Sequence, residues 1–582
     1  MKKSSAEKWI ASHSKKESPR MVLLIIGNAL FSVCGVMTAL YAKYIIDAAQ
    51  NADKNALIKN GVALGALILL QTFLKVVCKA LEARVQGKIE ISIKTELFSS
   101  ILKKDYEKIT SIHTGELMTR LTSDVSVVSD GVVTILPSAV AMVTRLVCAF
   151  AALFSLDRMF SLILLSGGAL LFVFTRFFRG KMKSLHKAVQ KTDGGVRSFM
   201  QEVIENLLVV KIFDVADMMK DRSKVYQDEN YYAKIKRNRW SIFANIGFSA
   251  AFSVGWLFAM LWSAARLSRG AITFGTLTAI VQLVSQVQTP VTSLSGYLPK
   301  YYTMLASADR ILETESLPES VAYNMPGLDV GKIYDEMSYM EMESVTFGYG
   351  RENVIENGSV RINKGDFTVI SGISGIGKST FFKLLTGVLT PQKGSISVVS
   401  GGKKYHIDKY MRPLFAYVPQ GNMLMSGTIR DNLLWGKSDA TQAELDSACR
   451  TACADEFIKN TPNGYDSILG QGGVNLSGGQ KQRLSLVRAL IRTPKILILD
   501  DCTSALDADT EARVLSGICE TARGMSVLLI SQRISTVMKA DRILCLENGL
   551  MRGLGTHDEL MRICPLYREI YASQIGGEAD GN

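Results

Sequence analysis

Apolar residues gather into six long runs over the first three hundred positions, at roughly 21–46, 57–82, 132–155, 159–178, 241–266 and 273–298. Each is long enough to cross a hydrocarbon core about 30 Å thick as a helix. Long polar stretches, about 84–130 and 179–239, separate the second run from the third and the fourth from the fifth. Their apolar residues recur at three- and four-residue spacing with few breakers, so they read as membrane helices continuing beyond the bilayer. The turning points, near Asp105–Thr110 and Phe213–Met219, are placed to touch whatever soluble domain lies beneath. The sixth helix is expected to end at Ala308-Asp309-Arg310-Ile311. A linker follows over 311–336, punctuated by Pro318, Pro326 and Gly327. From about Met337 to 575 strands alternate with helices, the layout of an α/β domain, and 576–582 form a tail. The expected fold class is a helical transmembrane domain over 1–310 followed by an α/β domain.

Charge orients this layout. Lys and Arg number six before the first run, seven in the first polar stretch and fourteen in the second, against one or two in each short connection. Basic residues stay on the cytoplasmic side, which puts the N-terminus, both long loops and the C-terminal domain in the cytoplasm of a multi-pass cell-membrane protein. The net charge of +13 is spent on that asymmetry and not on an aromatic-interleaved basic face, so no nucleic-acid partner is expected. Nine scattered cysteines read as reduced cytosolic thiols, and Cys449 with Cys453 lacks the second pair a metal site needs.

The C-terminal half carries the chemistry. Gly372-Ile-Ser374-Gly375-Ile-Gly377-Lys378-Ser379-Thr380 follows the apolar strand Phe367–Ile370 and opens a helix, the setting a P-loop requires. Its glycines let backbone N–H groups curl around a phosphate at the positive end of the helix. Lys378 is expected on the β- and γ-phosphates and Ser379 on Mg²⁺. Tyr349, at the end of an upstream strand, offers a flat ring for adenine. Ile496–Leu499 is an apolar strand ending in Asp500 and Asp501, where a nucleotidase holds Mg²⁺ and aims water. Ser477-Gly478-Gly479-Gln480 caps a further helix with exposed N–H groups, making a second phosphate site. One nucleotide cannot use both sites of one chain, so a head-to-tail dimer sandwiching each ATP is the simplest solution.

These motifs, in this order and spacing, resemble the nucleotide-binding domain of ABC transporters, and the whole chain resembles a half-transporter of the exporter (type IV) fold. In the membrane half, Thr114-Gly-Glu-Leu-Met-Thr-Arg-Leu-Thr-Ser-Asp124 and Ile272-Thr-Phe-Gly-Thr-Leu277 match the family's patterns. The resemblance implies that Tyr349 stacks on adenine, that Gln420 contacts Mg²⁺ and couples the site to the membrane half, and that Asp507 lies in the loop crossing the dimer interface. It implies ATP and Mg²⁺ as cofactors, with Ser379, Gln420 and Asp500 holding the metal.

Two positions depart from the family. Glu usually follows the Walker B aspartate, and His stands in the later switch; here they are Asp501 and Gln532. Asp is one methylene shorter, and a misplacement on the order of 1 Å can cost about a hundredfold in rate. Gln532 can hydrogen-bond a γ-phosphate but cannot become cationic. Both changes weaken the site built on this chain's own P-loop, while Ser477–Gln480, which serves the partner's nucleotide, is intact. The pattern resembles the degenerate-site subunit of a heterodimer, favoured over a homodimer. The alternatives are an exporter-fold importer of a metal chelate or siderophore, a homodimeric multidrug or lipid exporter, and an ATP-gated channel or regulatory subunit.

Within the membrane half, Arg145 lies near the centre of the third span. It either lines the substrate path, favouring an anionic or carboxylate-bearing substrate, or sits in an ion pair or carbonyl contact inside the bundle, the commoner arrangement. Gln282 and Gln286 make the sixth span too polar to face lipid on every side and are expected on the path. Small molecules, peptides and metal chelates all remain open as substrates.

Overall fold

A computed structural model describes residues 5–579 except 351, 374, 422, 522–523 and 532, and gives backbone alone for 168–179, 291–295, 298 and 574–579. Each of the six apolar runs lies in one long helix: Ser18–Gln50, Lys54–Lys103, Val125–Leu156, Arg158–Glu205, Ala216–Ser268 and Phe274–Glu315. Among the described residues, the first, second, third and fifth are long and apolar enough to cross a membrane. The fourth run continues into residues described by backbone only. The sixth is diluted by the polar residues noted above, and its helix continues to Glu315, past the expected stop at Ile311.

The chain divides into two compact units, 1–99 with 115–315, and 100–114 with 316–582. In the first unit, the first, third and sixth long helices pack on one another and the fourth pairs with the fifth. Val36, Ala39, Ala149, Ala152, Leu153, Ile280, Leu283 and Val284 form a buried apolar cluster there. Alanines at the contacts let helices approach closely, the usual packing device where lipid removes the hydrophobic drive. Below this cluster a polar one locks the third helix to the sixth. Glu116, Arg120 and Asp124 recur every fourth residue along one face. Asp124, 3% exposed, accepts from Ser307 Oγ at 2.8 Å and Arg310 Nε at 2.9 Å. Arg120 Nη1 donates to Thr314 Oγ1 at 2.6 Å and Nη2 to Glu116 at 2.5 Å.

The second unit is α/β. Its six-stranded sheet runs β12-β11-β3-β10-β9-β6, with β3 (Phe367–Ser371), β6 (Phe415–Val418), β9 (Ile496–Asp500), β10 (Ser526–Ile530) and β11 (Arg542–Glu547) parallel and β12 (Leu550–Gly555) antiparallel at the edge. A sheet covered on both faces needs apolar residues at every position, which explains the unbroken runs in β9 and β10. Ile496 and Ile498 enter one core, Leu497 and Leu499 the other. An antiparallel sheet, β2-β1-β4-β5, packs beside it, with β1 at Met337–Tyr349, β2 at Glu352–Asn363, β4 at Lys393–Ser400 and β5 at Lys403–His406. The two-residue strands β7 (Gly427–Thr428) and β8 (Ile468–Leu469) pair with each other. Parallel strands bring their carboxyl ends to one edge, which is where ligands bind in such sheets. The P-loop follows β3 at that edge, and Asp500 ends β9.

Candidate functional site

The P-loop turns on glycines that no other residue could replace without strain. Gly375 and Gly377 adopt φ of 82° and 100°, a region open to glycine. Helix Lys378–Leu385 then starts with its N–H groups facing the loop. Lys378 is buried, and its Nζ donates to the carbonyls of Gly372 at 2.7 Å and Ile373 at 2.8 Å. Burial lowers its pKa, opposed by the Asp501 and Asp500 carboxylates. The ammonium thus sits folded back on its own loop, satisfied by neutral carbonyls that a phosphate would replace. Thr380 is buried in the following turn. Tyr349 projects its ring from the end of β1, 48% exposed, edge-on to Phe347 at 5.1 Å. Its open face can take a flat base.

Asp500 is 1% exposed and has both oxygens engaged. Ser379 Oγ donates to Oδ1 at 3.0 Å and Tyr417 donates its hydroxyl to Oδ2 at 2.7 Å. Mg²⁺ prefers hard oxygen ligands at about 2.0–2.1 Å in octahedral order, so neighbouring ligands lie roughly 3 Å apart. The Ser379 and Asp500 oxygens meet that requirement and fit the ion; bound there, Mg²⁺ supplies charge to neutralise phosphate oxygens. Gln420, across the site on the segment after β6, points its Nε2 toward Asp501 Oδ2 at 3.5 Å. Asp501 itself takes φ of 52°, a left-handed conformation that Asp tolerates. Burial raises its pKa, with Asp500 adding to the effect and Ser504, Gln420 and Lys378 opposing it. The short Asp501 side chain therefore faces the Gln420 amide at the mouth of the P-loop.

Ser477 stands apart from this group. Its Oγ accepts from Gln480 N at 3.3 Å while Gln480 Oε1 accepts from Ser477 N at 3.0 Å, a reciprocal cap on helix Gly478–Leu490. Gly478 and Gly479 lie against Ala505; a side chain at Gly479 would come within 3.0 Å of the Ala505 carbonyl. Gln482 ties the same helix to the next loop, donating to Ser504 Oγ at 3.2 Å and accepting from Ala505 N at 3.0 Å. Asp507 caps the following helix through Thr510 N at 2.9 Å. Among the described residues no hydrogen bond joins Ser477–Gln480 to the P-loop. Gln532 and Ser374 lie outside the described residues. The switch is anchored on both sides of Gln532: Ser531 Oγ accepts from Arg533 N at 3.2 Å, and Arg533 donates to Leu506 O at 3.0 Å and pairs with buried Glu511.

Residues 21–291 match the family model described as ABC transporter transmembrane region, and residues 355–504 the one described as ABC transporter. The chain is 32% identical over 508 residues to the uncharacterized ABC transporter ATP-binding protein YfiB of Bacillus subtilis (strain 168), covering 85% of this chain and 86% of that one. The chain belongs to the ABC transporter family. A Staphylococcus aureus (strain NCTC 8325) relative, named for multidrug export as an ATP-binding/permease protein, is 27% identical with 95% of this chain and 96% of that one covered. The fold is that of a bacterial Atm1-family ABC exporter solved with ATP bound: TM-score 0.81, 24% identity, 95% of this chain and 98% of that chain covered. The transporter is thus a membrane-spanning, exporter-fold protein whose ATPase domain couples ATP hydrolysis to transport.

Sequence reasoning missed Tyr417. Only the adjacency of β6 and β9, where Tyr417 pairs with Ile498, brings its hydroxyl to Asp500. In the membrane unit, Gln286 donates Nε2 to Gly35 O at 2.7 Å, and Gln282 is exposed on the sixth helix beside Ser285 and Thr289. The commoner arrangement expected for Arg145 is an ion pair or a carbonyl contact; among the described residues no ion pair joins its side chain, and its Nε is buried without a hydrogen-bond partner.

Proposed function

We propose that this transporter works as the weaker-hydrolysing half of an unequal pair in the cell membrane, with its N-terminus and ATPase domain cytoplasmic. The observation that carries this reading is the contrast between the two half-sites. Ser477 and Gln480 hold an intact cap for a phosphate bound by another chain, whereas Asp501 presents a shortened carboxylate beside its own P-loop. ATP with Mg²⁺ would bind Lys378, Ser379 and Asp500, stack on Tyr349, and be closed over by the partner's Ser-Gly-Gly segment. Closure on ATP would pass through the long helices to the membrane half, and hydrolysis at the site this chain completes with Ser477 would reset the pair. Export is the proposed direction, in keeping with the fold and with the multidrug-export name of the Staphylococcus relative. The test compares ATP turnover of this chain alone with turnover after co-expression of a second half-transporter. Brisk hydrolysis by the chain alone, lost in Lys378→Ala and unchanged in Asp501→Glu, would overturn the unequal pair.

A further inference from the structure

The third membrane helix presents Leu136, Val143, Val147 and Phe154 outward, at 54%, 61%, 62% and 40% exposure. Arg145 lies two residues from both Val143 and Val147, which places it on the opposite side of the helix. That is the side of Ala149, Ala152 and Leu153, which are buried against the first and sixth helices. Arg145 thus springs from the inward face of the helix near the centre of its span, with its Nε buried and unpartnered. Nothing in the sequence offers a counter-ion there: across the six spans the sole acidic residue is Glu82, at the cytoplasmic end of the second span, where it pairs with Lys79. A second copy of this chain would bring the same all-cationic interior. The same layer holds a complementary orphan. Gln286, at the centre of the sixth span, spends its Nε2 on Gly35 O, and its Oε1 is buried without a donor. A cation and an acceptor left open at the same depth are unfavourable in an apolar bundle unless something fills them.

We infer that Arg145 is the anion-recognition point of the substrate path and that the substrate is an amphiphilic anion, a carboxylate or phosphate ester that also carries a hydrogen-bond donor for Gln286. This deepens the transporter reading and rests on it. Its apolar part has a suitable lining in the same unit: Phe248, Phe252 and Trp256 of the fifth helix, in a pocket shared with the uncharged Asn245, Ser249, Ser253 and Gln288.

The test uses the full-length transporter purified from its native membranes into phosphatidylcholine nanodiscs. Equilibrium binding of dodecyl phosphate, dodecanol and dodecylamine separates head-group chemistry from the shared alkyl chain. The expected result is that dodecyl phosphate binds best, that Arg145→Gln weakens it roughly ten- to hundredfold while leaving dodecanol unchanged, and that Arg145→Lys recovers most of the loss. Arg145→Lys and the elution profile on gel filtration guard against misfolding. Equal binding of the three probes, unchanged preference in Arg145→Gln, or no binding of any probe would overturn the inference. If dodecyl phosphate binding depends on Arg145 but no ATP-driven movement of the probe occurs in proteoliposomes, the transporter reading fails and the anion site stands.

Discussion

Asp501 is the proposed weak point at the residue scale. Lengthening it by one methylene in Asp501→Glu should carry the carboxylate toward the attacking water and raise turnover at this chain's own site by up to about a hundredfold. Single-turnover measurements on Asp501→Glu and the parent chain read that change. Tyr417 acts one step further back. It donates to Asp500 Oδ2, leaving Oδ1, the oxygen bonded to Ser379, on the side where Mg²⁺ would be held. Outer-shell partners of this kind typically contribute ten- to hundredfold in metal affinity. Tyr417→Phe should therefore weaken Mn²⁺ binding in the presence of ADP by about tenfold or more, measured by electron paramagnetic resonance, while nucleotide binding without metal is kept. The motif residues were legible because their chemistry is local: glycines that need positive φ, a lysine at a helix start, an aspartate at a strand end. Tyr417 was not, since a tyrosine in a short strand looks like packing until its neighbouring strand is known.

Among the elements, the long helices were legible from hydropathy alone, because a bilayer demands an unbroken apolar run. The cytoplasmic cluster that joins the third helix to the sixth was legible only as a family pattern; the structure supplies its reason. Glu116, Arg120 and Asp124 share one helical face, and the sixth helix answers with Ser307, Arg310 and Thr314. Arg310→Ala removes two donors from a buried carboxylate. With Arg310 about half exposed, solvent recovers part of the loss, and the expected cost is about 1–2 kcal/mol, seen as a lower thermal midpoint in detergent. Ser307→Ala, which leaves the ion pair in place, should cost less.

For the molecule as a whole, the order of domains and the α/β class followed from a change of periodicity near Met337. What periodicity could not reveal is that residues 100–114 belong with the ATPase unit and not with the helices on either side of them. Lys104 bridges to Glu319, Asp105 N donates to Pro318 O at 2.9 Å, and Ser320 N donates to Lys103 O at 3.1 Å. Lys104 Nζ adds a bond to Leu317 O at 2.8 Å. These partners are hundreds of residues apart and carry no compositional signal. A fragment beginning at Ser316 should keep every nucleotide motif yet lose these bonds. Its thermal midpoint is expected to rise when a peptide spanning 100–114 is added, and no rise would argue that the strap is passive.

That strap makes the ATPase unit a composite of distant stretches of chain. The covalent chain crosses between the two units at 99–100, 114–115 and 315–316. Two of these crossings, 99–100 and 315–316, lead into segments stapled to each other inside the ATPase unit by backbone hydrogen bonds. The ATPase unit is therefore not one continuous stretch of chain, and a truncation or graft that starts at Ser316 carries an incomplete fold.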